Sequence, residues 1–598
     1  MKDFFKYLLA TIIGIFLCGF IFMIIGTASI IGIAASSSMN STKKIKDKSV
    51  LQLNFNGSLI ERSSSNPWDK LLGSKYSIMG LDDILSSIDK AKYNDKIKGI
   101  YINASNLATG SASIKEIRDK LLDFKKSGKF LLAYSDSYSQ GLYYLSSVAD
   151  KIILNPVGSL DWKGLSAQPV FYKDLLDKIG VDIQIFKVGT YKSAVEPYIL
   201  TEMSKPNREQ VSAFLGSMWD QILDDVSVSR NITKSQLNTL ADNLLITQDA
   251  QESLKSGLID TLMYKSNVDD YIKNLLTLDR SDKINFLKVK DLINSKLETK
   301  KSEEGENKDN NKIAVYYAYG EIDGNTNFGE DEGIKSDKVV KDLLKLKDND
   351  DIKAVVLRVN SPGGSAFGSE QIWKAVTELK AYKPVIVSMG DYAASGGYYI
   401  SCNANYIVAQ PNTLTGSIGI FGMIPSVEKM TKKIGVNFDV VKTNKFSDFG
   451  GINRSMNSDE KLIMQTMINK GYKLFTSRCS AGRKMDVENI YKIAEGRVWT
   501  GTMAKEIGLV DSIGGLDTAI KIAANISKIS NYTVEDYPVK EDFLTKLLNI
   551  NPEDFIESKI LKSKLGMYFK EFSTFNSLAN FNKKNSLLLI MPYDPNIR

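Results

Sequence analysis

Histidine is absent from all 598 residues. That excludes Ser-His-Asp and Cys-His catalysis and His-ligated zinc, so a serine nucleophile in this chain would need lysine as its base. Cysteine is scarce: Cys18, Cys402 and Cys479 have no metal-ligand spacing and give no disulfide framework, and they read as packing residues. No strong excess of one charge is present either, because a formal net charge of +7 over this length carries no nucleic-acid signal. Low-complexity sequence is confined to residues 299–312, rich in Lys, Glu, Asn and Asp, which read as a solvated linker between two halves. Charge is missing altogether from Tyr7 to Thr42, and Leu8 to Ala35 is almost wholly apolar. This exceeds the ~20 residues that cross a bilayer and the roughly 7 to 15 of a cleaved signal's apolar core, so residues 1–42 are expected to form an uncleaved transmembrane anchor. Lys2 and Lys6 precede the span while Lys43, Lys44, Lys46 and Lys48 follow it, a count that by itself would place the long domain inside.

What is present is concentrated between Ile352 and Gly422. Ala354 to Val359 is a short, mostly apolar run that breaks at Asn360-Ser-Pro-Gly363-Gly364-Ser365, the pattern of a buried strand ending in a turn whose glycines allow close backbone approach. Ile372, Ala375, Val376 and Leu379 then fall at helical spacing, Pro384 to Ser388 reads as a second buried strand, and Ala394 to Ala404 as a second helix. Strand, glycine turn, helix, strand, serine turn and helix make a parallel α/β unit. Ser395 sits at the last strand-to-helix junction. Its own N–H and that of Gly396 are expected near a helix N-terminus, where donors favour a developing negative oxygen, and the Gly363-Gly364 turn would lie beside them. No Gly-x-Ser-x-Gly elbow surrounds Ser395, so an α/β-hydrolase reading lacks both its motif and its histidine.

The chain repeats itself. Lys178-Ile-Gly-Val181 recurs as Lys433-Ile-Gly-Val436, and Gly141-Leu-Tyr-Tyr144 as Gly396-Gly-Tyr-Tyr399; 433 minus 178 and 396 minus 141 are both 255. In that register Ala108-Thr109 stands where the second half has Gly363-Gly364, and Gln140 stands where it has Ser395. The first half therefore lacks both the nucleophile and the glycine turn.

Asp391-Tyr-Ala-Ala-Ser395-Gly-Gly-Tyr, Asn360-Ser-Pro-Gly-Gly-Ser365 and Thr413-Leu-Thr-Gly-Ser417-Ile-Gly-Ile-Phe-Gly422 together resemble the signal peptide peptidase A (protease IV) family in its long form, over about residues 50 to 530. The resemblance implies two tandem α/β domains of the Clp-protease and crotonase fold after an N-terminal transmembrane helix. The anchor would be residues 1–42, a domain supplying the base 43–298, the linker 299–312, the serine domain 313–535 and a helical extension 536–598. Within the extension, amphipathic helices are expected around Phe543 to Phe555 and from Ile560 to Phe572, and a short strand from Leu587 to Met591. The resemblance implies a Ser/Lys peptidase in which Lys192, within Lys187-Val-Gly-Thr-Tyr-Lys192-Ser-Ala-Val-Glu-Pro197, is the general base for Ser395. It also implies that Ser417 orients that lysine, and that Gly396 with Gly363 or Gly364 holds the oxyanion. In the repeat register Lys192 corresponds to Ser447, so nucleophile and base are exchanged reciprocally between the halves. The chemistry requires no metal or organic cofactor. The family further implies apolar peptide substrates such as signal-peptide remnants, a homo-oligomer, commonly a tetramer, and a place in the bacterial inner membrane with the catalytic domains on the extracytoplasmic side. Two other readings stay open from the residues alone: a crotonase-type acyl hydrolase, and a non-catalytic membrane scaffold on a peptidase fold.

Overall fold

The computed structural model describes residues 45–63, 77–293, 295, 311–324, 333–540 and 588–590, with positions 6, 7, 14, 17 and 19 near the N-terminus. Apart from positions 14, 17 and 19, the expected anchor over Leu8 to Ala35 lies outside the described residues, as do most of the 299–312 linker and the two helices expected between 543 and 572. Among the described residues no helix is long and apolar enough to cross a membrane.

In the first half, β1 (Ser49–Ile60), β2 (Ser77–Gly80), α1 (Leu81–Tyr93), β3 (Ile97–Ala108), α2 (Ser111–Lys125), β4 (Phe130–Tyr138), α3 (Gln140–Ser146) and β5 (Lys151–Leu160) follow one another. After them come α4 (Lys173–Ile179), β6 (Asp182–Val188), α5 (Lys205–Arg230), β7 (Thr261–Leu262) and β8 (Asn285–Leu287). The strands form a parallel sheet in the order β2-β1-β3-β4-β5-β7, with β8 also paired to β1. β6 is not part of it.

The second half begins with β9 (Lys312–Tyr319), α6 (Ser336–Asp348), β10 (Ile352–Ser361), β11 (Gly363–Ser365), α7 (Ala366–Lys380), β12 (Val385–Ala394) and α8 (Gly396–Ser401). It continues through β13 (Tyr406–Ala409), β14 (Leu414–Gly416), β15 (Ile420–Ser426), α9 (Glu428–Lys433), α10 (Ser458–Arg483) and β16 (Val498–Thr500). Last come β17 (Ser512–Ile513), α11 (Leu516–Ile526), β18 (Thr533–Tyr537) and β19 (Leu588–Ile590). Its main sheet runs β16-β14-β12-β10-β9-β18, with β13 beside β12 and β17. Val355, Val356 and Leu357 of β10 and Ile386 and Val387 of β12 are fully buried, as expected for strands covered by helices on both faces. α2 and α7 are 15 residues each and begin 255 residues apart, so the sequence repeat is a structural one.

One expectation is corrected. β12 runs on to Ala394 instead of ending near Ser388, and the helix starts at Gly396 rather than Ala394. The extension has its own ladder: Tyr392, Ala393 and Ala394 pair with Leu414, Thr415 and Gly416 of β14, and the Asn360 carboxamide oxygen accepts the Tyr392 N–H at 3.1 Å.

Two of the contacts between the halves bear on the site. β6 leaves the first half and pairs antiparallel with β15 of the second, from Ile420↔Val188 to Ser426↔Asp182. At the other contact, Arg358 of β10 is buried and donates to Glu61 at 2.5 Å, to Glu116 of α2 at 2.7 Å and to Ser388 at 3.0 Å. Asp391, buried in the same seam, accepts from the N–H and hydroxyl of Ser113 at the start of α2, and a Cβ on Gly110 would collide with its carboxylate. Burial pushes the carboxyl groups of both Asp391 and Glu116 upward.

Candidate active site

Ser395 lies between β12 and α8 with φ 56° and ψ −112°, a backbone conformation costly for a residue with a Cβ. Sequence patterning located this junction but not its strain. Ser395 N–H was expected to face a developing oxyanion; instead it donates to Gly416 O at 2.8 Å. The strained turn is thus tied to the end of β14. Ser417, next along, is also left-handed at φ 49°, and its N–H donates to Arg497 O at 2.7 Å.

Lys192 reaches this place from the first half because β6 carries the chain across onto β15. Gly189, at φ 113°, turns the chain after β6, and Tyr191 N–H donates to Glu495 O at 2.8 Å. Gln210 of α5 fastens the same segment, donating to Tyr191 O and Ser193 Oγ, each at 2.9 Å. Two glycines not singled out in the sequence make room for the side chain. A Cβ on Gly496 would come within 2.7 Å of Lys192 Cβ, and one on Gly419 within 3.2 Å of its Cδ. Gly419 sits inside the Ser417 to Gly422 motif, a signal that was available; Gly496 had none.

Lys192 is fully buried, and its Nζ lies 2.8 Å from Ser395 Oγ, 3.1 Å from Ser417 Oγ and 3.2 Å from Ser417 O. No carboxylate touches it among these contacts, and burial holds its pKa well below the usual lysine value. A neutral amine has two N–H donors and one lone pair. The three contacts therefore allow both donors to go to Ser417 oxygens and the lone pair to accept the Ser395 hydroxyl proton.

The glycine turn lies beside this pair. Gly363 and Gly364 take φ 113° and 151°, conformations suited to glycine alone. Gly363 N–H donates to Ser361 Oγ at 3.2 Å. Gly364 N is the nearer to α8, 3.2 Å from where a Cβ on Gly396 would stand, and Gly396 N–H, the first of its helix, has no intrahelical acceptor. Two amide groups, Gly364 and Gly396, therefore adjoin Ser395. β19 pairs antiparallel with β11 along Gly363 to Ser365 and reaches Phe421 of β15. A segment near the chain's own C-terminus thus occupies the edge beside the glycine turn.

In the first half the corresponding place is filled. Gln140 closes on the next loop, accepting from Lys163 and Gly164 N–H and donating to Gly164 O. Trp162, buried, stands at the position equivalent to Ser417.

The profile of peptidase family S49 matches residues 123–279 and 377–530, and that of Clp protease matches 329–415. Protease 4 of Salmonella typhi is 37% identical over 525 residues, covering 85% of this chain and 83% of its own. Protease 4 of Haemophilus influenzae is 35% identical over 542 residues, covering 87% and 85%. The chain belongs to peptidase family S49. It has the long, two-domain form of signal peptide peptidase A, and it is a serine peptidase. The chloroplastic serine protease SPPA of Arabidopsis thaliana is 29% identical over 490 residues, covering 81% of this chain and 70% of its own. Both stretches matched by the S49 profile, one in each half, contain helices and strands of the repeated unit, so this S49 peptidase is a tandem α/β repeat of Clp-like type.

Proposed function

We propose that this S49 peptidase is a membrane-anchored endopeptidase that hydrolyses apolar peptides with a Ser395/Lys192 dyad. The observation that carries the reading is the 2.8 Å approach of a fully buried lysine Nζ to Ser395 Oγ. Neutral Lys192 removes the Ser395 proton as Oγ attacks the peptide carbonyl, and Ser417 aims the amine. Gly396 and Gly364 N–H hold the oxyanion, while Gly363 shapes the turn. Lys192 then protonates the leaving amine, and water deacylates the enzyme by the same relay. The substrate backbone would extend beside β11, the edge now paired by β19.

The finer assignments rest on family likeness and on the apolar run Leu8 to Ala35. They are a single-pass anchor at residues 1–42 in the bacterial inner membrane, catalytic domains at 43–298 and 313–535 on the extracytoplasmic side, signal-peptide remnants as substrates, and a homotetramer.

The test is hydrolysis of an apolar fluorogenic peptide by the full chain in detergent, parent against Ser395→Ala. The variant is expected to be inactive while keeping the parent's unfolding midpoint; equal hydrolysis by both proteins would remove Ser395 from the reaction. A pH series adds an independent check. Because the base works only when neutral and its pKa lies below the usual lysine value, kcat/KM should rise with pH through that lowered pKa and then level off. A chemical step flat in pH from 5 to 9, with the single-turnover rate as readout, would rule out a titrating amine as the base.

A further inference from the structure

Lys192 is held by more than its own loop. α5, a helix of the first half, lies across β14 and β16 of the second: Val211, Phe214 and Met218 pack with Ala394, Leu414 and Val498, and Ser217 Oγ is 2.9 Å from Thr500 Oγ1. One turn before Phe214 the same helix carries Gln210, which is buried and whose carboxamide meets both halves. Its Nε2 donates to Tyr191 O and Ser193 Oγ, each at 2.9 Å, with Asn207 Oδ1 a third oxygen at 3.2 Å, and its Oε1 accepts the Val498 N–H at 3.2 Å. Turning the amide over would set its oxygen against the Tyr191 carbonyl and its NH2 against the Val498 N–H, so only this orientation satisfies it. Tyr191 and Ser193 flank the base in sequence. Val498 is paired with Gly416 of β14, whose carbonyl accepts the Ser395 N–H, and the neighbouring Arg497 O accepts the Ser417 N–H. One carboxamide thus touches the chain on both sides of Lys192 and the strand that fixes Ser395 and Ser417.

We propose that Gln210 is a positioning residue for the Ser395/Lys192 dyad: it sets the distance from lysine amine to serine hydroxyl without touching either. The carboxamide is itself held. Asn207, one turn earlier, donates through Nδ2 to Glu196 Oε2 at 2.7 Å, which leaves its Oδ1 for Gln210, and Glu196 also accepts from the N–H and hydroxyl of Ser204. Glu196, Asn207 and Gln210 are all buried, and a row of buried polar groups costs desolvation that the docking of α5 does not require, since Val211, Phe214 and Met218 already supply an apolar face. The second half shows the same helix with no lysine to hold. α5 and α10 are both 26 residues long, with a side-chain cap at the start and a left-handed residue, Asn231 or Lys484, at the end. Their starts and their caps give one offset, 458 minus 205 and 484 minus 231 both being 253. In that register Gln210 corresponds to Ile463, 463 minus 210 also being 253, an apolar residue 37% exposed. Loss of the carboxamide would loosen the base rather than release it, because the Tyr191 N–H still donates to Glu495 O. A displacement of about 1 Å between reacting groups is enough to cost on the order of 100-fold in rate.

The inference rests on the Ser395/Lys192 reading, and the experiment keeps the two apart. Full-length parent, Ser395→Ala, Gln210→Met and Gln210→Glu are compared in detergent on an apolar fluorogenic peptide, with single-turnover rates across the pH range and an unfolding midpoint for each. Gln210→Met is expected to lower the plateau of kcat by about 10- to 100-fold while KM stays within about twofold. The pH midpoint of the rise in kcat/KM should match the parent's, because burial, which holds the amine's pKa low, is kept while the approach to Ser395 is lost. A role in packing alone would act differently: water admitted around Lys192 would raise that midpoint, and the fall in rate would follow the fall in folded protein. Gln210→Glu keeps an oxygen for the Val498 N–H and, while its carboxyl is protonated, has one donor in place of two. At low pH its rate relative to the parent should therefore lie between those of the parent and Gln210→Met, and it carries the same readouts if the methionine variant does not fold. A parent-like plateau, a raised midpoint, or a loss of rate matched by loss of folded protein overturns the positioning role and leaves the dyad standing. Hydrolysis by Ser395→Ala equal to the parent's overturns the dyad reading and this inference with it.

Discussion

Lys192→Met is expected to lower kcat by on the order of 10³- to 10⁴-fold while KM for an apolar peptide stays within about twofold. The separation of the two constants follows from position. Lys192 Nζ contacts Ser395 and Ser417, whereas the edge available to a peptide backbone is that of β11. Methionine fills the channel between Gly419 and Gly496 without a charge or a donor, so no cavity is created and no buried group must be ionised. Stability gives a second readout that a packing role would not produce. Folding lowers the lysine pKa, so between the folded and unfolded values the unfolded chain binds more protons, and the parent gains stability as pH rises through that window. The variant should lack this slope and be at least as stable as the parent at pH 7. Unfolding midpoints at several pH values, taken with single-turnover rates, check both. Parent-like kcat in Lys192→Met would place the base elsewhere.

How far this arrangement could be read from sequence depended on the range of each interaction. Apolar runs gave β10 and the first part of β12, and helical spacing gave α7, because burial on a strand or helix is written at short period. The end of β12 was missed because Asp391 to Ala394 is held by Asn360 and β14, partners that periodicity does not register. The repeat exposed the reciprocal loss of serine and lysine, but Lys192 itself was found through a family motif, since one lysine among 77 Lys and Arg carries no mark of burial. The bridging role of β6 was illegible for the same reason. A strand pattern reports that one face is apolar, not which half of the chain will cover it. Arg358 is the sharpest case: its charge lies within the run read as a buried strand, and its partners Glu61 and Glu116 lie about 300 and 240 residues earlier, beyond the reach of any local pattern.

Arg358→Met is expected to destabilise the folded protein by about 3 to 5 kcal/mol and to remove hydrolysis disproportionately. The side chains of Arg358, Glu61 and Glu116 are 1%, 3% and 7% exposed, so removing the cation leaves two carboxylates facing each other away from water. Burial already pushes the Glu116 carboxyl upward even with Arg358 present, and its loss pushes it further. A carboxyl whose folded pKa is raised binds more protons folded than unfolded, so its penalty grows as pH rises above the unfolded value. The deficit relative to the parent should therefore be smaller at pH 5 than at pH 8, as read from urea unfolding at each pH. Arg358→Lys should recover only part of the loss, because an ammonium cannot direct separate N–H groups to Glu61, Glu116 and Ser388 at once. Adding Glu61→Gln and Glu116→Gln to Arg358→Met should restore most of the stability by removing the unpaired charges. Activity in that triple variant is the discriminating measurement. Lys192 and Ser395 come from opposite halves, and α2 and β10 meet in the seam that Arg358 ties. If the ion cluster matters only for holding charge, hydrolysis returns with stability; if its directed bonds set the approach of the two halves, kcat stays low in a folded protein.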